Sequence, residues 1–175
     1  MSLATFEKFL VFAETAIRLR QYFPEGLDPI ELESVFVSHG AVLLHSHMEQ
    51  CIRKAVALRC DRCTDNEIRG FARKSAEEKT GKLKIEFLKQ TLERFCRTYR
   101  DTFHDDLTRL GINFGWDSIV NHRKVVAHEG QPAAMTLSEL RQYYDEIRAV
   151  LGHYCQALGL EESGTMGIST LIRVN

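Results

Sequence analysis

Leu137, Leu140, Tyr144, Ile147, Leu151, Tyr154 and Leu158 recur at alternating three- and four-residue steps. That is a heptad seam sustained over three repeats. In front of it, Thr136 and Glu139 form a T-x-x-E capping box, which starts a helix by satisfying its first free N–H groups. A helix of this kind lies lengthwise on another helix, within the chain or across a dimer. Little elsewhere opposes a helical fold. Gly 11 and Pro 3 in 175 residues fall below the about 12% of average usage, too few turns for many short strands. The predicted fold is an all-α, up-and-down bundle of about five helices. It forms a single domain over 1–160, with a tail of low helical propensity at 161–175.

The remaining helices follow from apolar spacing. Phe6, Phe9, Leu10, Ala13 and Ile17 mark the first, which Pro24-Glu25-Gly26 breaks. A second starts near Pro29-Ile30-Glu31 and runs past Leu58. Leu32, Val35, Phe36, His39, Val42 and Leu43 line its first half, and Leu44, Met48, Cys51, Ile52 and Ala55 its second. This shift of face predicts contact with more than one neighbour. Cys60 to Lys82 reads as a charged connector with room for a short helix. Leu88, Leu92, Phe95 and Tyr99 mark a third long helix. A fourth runs from Trp116 to Glu129, closed by Gly130 and Pro132.

Lys+Arg 23 against Asp+Glu 24 excludes a strongly basic nucleic-acid binder. It leaves room for an enzyme that touches a few phosphates. The five cysteines are odd in number and scattered, and Met1 to Leu10 carries no basic-then-apolar signal pattern. Free thiols in a reducing cytosol are expected, as is the absence of a membrane span.

The chemistry concentrates in Asn121-His122-Arg123-Lys124-Val125-Val126-Ala127-His128-Glu129-Gly130. On an α-helix Trp116, Val120, Arg123 and Ala127 share one face, which sets a guanidinium in an apolar stripe. That position is costly unless a carboxylate or phosphate meets the charge. Asp117, Asn121, Lys124 and His128 form a separate polar stripe. A structural ion pair at Arg123 and a helix-end His128 would account for both residues without any chemistry.

Arg123, four residues, then His128 near the end of a late helix resembles the signature of HEPN domains, the all-α bundles of many prokaryotic toxins and defence proteins. Val42-Leu43-Leu44-His45-Ser46-His47-Met48-Glu49 is similar to the second helix of the RiboL-PSP-HEPN-like branch, and Thr136 to Leu140 with Tyr143-Tyr144 to its last. Two positions depart from the pattern. Lys124 stands where members commonly carry Asn, Asp or His, and Gly130 stands where some toxins carry a modifiable tyrosine. The resemblance implies a metal-independent endoribonuclease, without cofactor, working as a homodimer with two motifs facing one cleft. Histidine suits removal of a proton from a ribose 2′-hydroxyl, since it titrates near working pH. An always-charged guanidinium suits the charge that develops on phosphate oxygens. Arg123 and His128 are thus the expected catalytic pair, with Asn121 and Lys124 as supporting RNA contacts. On an ideal α-helix the pair diverges by about 140°, so arginine reach or the second subunit has to close the gap. RNA, a second copy and an antitoxin are the implied partners. A non-catalytic HEPN-like module that binds nucleotide, RNA or protein is the alternative.

Glu49, at the acidic position of the family's second helix, is the expected orienting carboxylate for Arg123. A surface pair with Arg53 at i, i+4 competes for it. Cys60-x-x-Cys63 with His45 and His47 is a weak zinc pattern, for which free thiols are the simpler account. Arg94, Arg97, Arg100 and Arg109 could form a basic patch.

Overall fold

Phe6, Leu10 and Ala13 are fully buried on one face of α1 (Leu3–Arg20). The next helix, α2 (Pro29–Asp61), begins as its sequence dictates. Asp28 accepts a hydrogen bond from the Ile30 N–H at 2.8 Å, and Pro29 fills a position that needs no donor. These elements belong to a computed structural model that describes residues 3–20, 22, 28–77, 83–112 and 114–160. The Pro24-Glu25-Gly26 break and the tail at 161–175 lie outside the described residues. Among those residues the chain is all-α, with seven α-helices, one π-helical turn and no strand.

Helix α2 keeps one buried stripe, Val37, Ala41, Leu44, Met48, Cys51 and Ala55, from end to end. The expected shift of face is therefore corrected. Val35 and His39 are exposed, and Val37 with Gly40 takes the buried place. Contact with several neighbours comes from the helix's length instead. The connector holds α3 (Asn66–Glu77), started by Asp65, whose carboxylate accepts from the Glu67 and Ile68 N–H groups.

The predicted third helix is two, α4 (Ile85–Phe95) and α5 (Arg97–Leu110). Cys96 between them is extended, with φ −165° and ψ 135°. One extended residue turns the axis without disturbing the 88-92-95-99 spacing, which is why periodicity runs straight through the break. Gly111, at φ 65°, ends α5 in the left-handed conformation that glycine adopts without strain. After α6 (Phe114–Lys124) and a π-helical turn (Val125–Glu129), α7 (Leu137–Ala157) opens with the predicted capping box. All seven seam residues are buried. Tyr144 meets Phe6 and Tyr154 meets Phe103, with ring centroids 5.1 and 5.8 Å apart. The seam is thus used up inside the chain, against α1, α2, α5 and α6.

Candidate functional site

Three contacts lock the start of α6. The indole N–H of Trp116 donates to the Leu83 carbonyl, and Asp117 accepts from the Ile85 N–H at 3.1 Å, so the segment entering α4 is bound to α6. The Gly115 N–H donates to Glu146 on α7 at 2.8 Å. Glycine is needed there, because a Cβ would lie 3.1 Å from the Tyr143 Cα and 2.7 Å from the Glu146 oxygen. Trp116 and Ile119 face the core, and Asn121, Lys124 and His128 face solvent.

The helix then changes pitch. Val125–Glu129 is π-helical and ends at Gly130, φ 64°. A π-turn bonds residue i to i+5, so residues five apart come into register. Arg123 and His128 are five apart. The about 140° divergence of an ideal α-helix is removed within a single chain, and Arg123 Nη1 lies 3.1 Å from His128 Nε2. A guanidinium can only donate, so Nε2 accepts and the ring proton sits on Nδ1. Arg123 is half-buried and His128 exposed. The apolar stripe stops where the π-turn begins, since Ala127 is exposed.

The expected partner of Arg123 needs correction. Glu49 pairs with Arg53 at 2.7 Å, the competing i, i+4 contact, and among the described residues no carboxylate pairs with Arg123. The α2 side chain on which the Arg123 charge acts is His45, buried one turn before Glu49. Burial first, then the Arg123 charge, holds the His45 imidazole below its ordinary value, while Glu49 pulls the other way. The sequence pattern offered His45 only as a possible metal ligand. The reach of the Arg123 charge to it depends on the packing of α2 on α6, which no spacing rule reveals.

Other candidates disperse. Cys60 lies about 22 Å along α2 from His45, at 1.5 Å rise per residue, Cys63 follows the end of that helix, and His47 contacts Cys51 at 3.4 Å. Among the described residues no three His, Cys, Asp or Glu side chains gather as a metal site would require. Three of the four arginines of the expected patch are paired, and among the described residues Arg94 is not. Arg97 meets Asp101, Arg100 meets Glu93 and Asp101, and Arg109 meets Asp106. No helix of the described residues is long and apolar enough to cross a membrane. No family model, curated protein or solved structure matches the chain.

Proposed function

We propose that the chain is a metal-independent endoribonuclease of HEPN type, acting in the cytosol as a toxin or defence effector on RNA. The observation that carries this reading is the π-turn that sets the Arg123 guanidinium against the His128 imidazole at 3.1 Å. The π-turn ends the helix at Gly130 and joins the two residue types that the chemistry requires. His128 takes the proton of a ribose 2′-hydroxyl, and the freed oxygen attacks the adjoining phosphorus. The P–O5′ bond breaks and the departing oxygen takes up a proton, which protonated His128 returns through solvent, leaving a 2′,3′-cyclic phosphate and a 5′-hydroxyl. Arg123 turns its guanidinium from His128 to the phosphate oxygens, where charge develops. Lys124 and Asn121 are exposed on the same helix and supply the supporting contacts to RNA. A second copy of the chain brings a second motif to the same cleft.

The test measures RNA cleavage in EDTA and thermal stability on the same proteins. His128→Ala and Arg123→Ala should stay folded and lose cleavage, by about 10²–10⁴ for the acid–base residue and about 10²–10³ for the charge partner. Arg123→Lys should not restore it, because an ammonium lacks the planar two-pronged contact. A fully active His128→Ala, or cleavage lost on chelation and restored by one divalent ion, would sink the assignment.

A further inference from the structure

A cavity of about 590 Å³ opens between the C-terminal half of α2, α3 and α4, on α2 well removed from the Arg123–His128 pair. Its volume lies within the range of small-molecule sites. Val56, Phe71, Ala72, Phe87 and Phe95 make the walls apolar, and Arg59, Arg62, Arg69 and Arg94 stand among them. No carboxylate is among the described lining residues.

These four arginines differ from six others in what they touch. Arg53, Arg73, Arg97, Arg100, Arg109 and Arg141 each pair with a carboxylate. Around the cavity the partners are neutral. Arg59 donates to the Tyr99 hydroxyl at 2.9 Å and stacks over that ring at 5.5 Å. Arg62 donates to the Gly159 carbonyl, and Arg69 to the Asn66 amide oxygen. Arg94 forms no ion pair among the described residues. Three guanidiniums are therefore held in place with their charge uncompensated, a preorganised arrangement for an anion.

We propose that this cavity binds a hydrocarbon-bodied monoanion, such as a medium-chain carboxylic acid, with the chain against the phenylalanines and the carboxylate among the arginines. A nucleotide fits less well. Base edges and ribose hydroxyls carry donors that need acceptors, and the lining offers almost none. The Thr91 hydroxyl donates to the Phe87 carbonyl at 2.8 Å, and the remaining polar groups are arginines and the Cys60 and Cys63 thiols. A buried donor left unmatched weakens binding, which selects against such a ligand.

Calorimetric titration with decanoate, decanol, AMP and inorganic phosphate tests this on the full chain. Decanoate should bind and raise the melting temperature, with decanol weaker by about tenfold or more, since a charge-assisted contact is lost. Arg94→Gln, on the surface, should weaken decanoate and leave decanol unchanged. Ala72→Phe should fill the cavity and abolish binding of both, and circular dichroism verifies its fold. His128→Ala should bind decanoate as the wild type does, so the outcome is independent of the nuclease reading. No decanoate binding at about 1 mM, equal affinity for acid and alcohol, or tighter binding of AMP or phosphate overturns the proposal.

Discussion

His45 and Cys96 show how far a few neighbours move a side chain's chemistry. The His45 imidazole is held below 6.5 by burial and then by Arg123, and burial lowers His122 in the same direction against a smaller opposing pull from Glu139. A depressed folded-state value means that the unfolded chain takes up the proton first. The stabilisation is complete above 6.5 and is lost as pH falls through the folded values. Urea midpoints should therefore drop below pH 6.5. In Arg123→Ala the His45 resonance should titrate at higher pH than in the wild type, and an unchanged titration would mean that the guanidinium does not act on His45. Cys96 is exposed, and the hydrogen bonds of Thr98 at the start of α5 lower its thiol. Burial pushes Cys51 up to about 11. Thiolate is the reacting form, so iodoacetamide at neutral pH should label Cys96 well before Cys51. Peptide mapping reads the order directly, and early labelling of Cys51 would contradict it.

Two glycines separate close packing from open surface at the level of elements. Gly115→Ala drives a methyl into the α7 backbone and should cost about 1–3 kcal/mol, as overpacking does. Gly70→Ala in α3 meets nothing within 4 Å and should stabilise by about 0.5–1 kcal/mol. Urea unfolding of the pair measures both signs, and a neutral Gly115→Ala would show that α6 can move off α7. Helices with side-chain caps were the legible ones. Asp28 with Pro29, and Thr136 with Glu139, announce α2 and α7 at their first residues, because capping is local chemistry written within four positions. The break at Cys96 and the π-turn at Val125–Glu129 were not legible, since both change backbone pitch and leave the side-chain pattern intact. Arg123 and His128 are picked out as a pair only through the resemblance to the HEPN signature, since spacing alone is equally met by a structural ion pair and a helix-end histidine. That they touch, and that the Arg123 charge reaches the buried His45, depends on pitch and on helix crossing.

For the molecule as a whole, the buried seam removes the most obvious dimer surface. The proposed two-fold assembly has to use another face, and the one bearing the motif is the exposed polar side of α6 and the π-turn. Sedimentation velocity at micromolar concentration should show a dimer. Substituting Lys124 or Asn121 with a larger apolar residue should shift it, whereas exposed positions on α3 should not. A monomer under all conditions would count against two motifs sharing one cleft. With Arg97, Arg100 and Arg109 tied to carboxylates, the near-neutral total charge is also neutral locally around α5.

The contact between Arg123 and His128 makes the pair its own first competitor. An incoming phosphate does not meet a bare guanidinium but one that already has an acceptor, so it trades one hydrogen bond for another. Losing the bond to His128 offsets part of the about 1.5–3 kcal/mol that a charge-assisted bond supplies, which would reduce the advantage of a small free anion. A polymer held by contacts on either side of the scissile position carries its phosphate into the exchange at high effective concentration. Under the proposed function, the same internal bond that holds the two side chains together would discriminate by length, favouring a strand over its fragments.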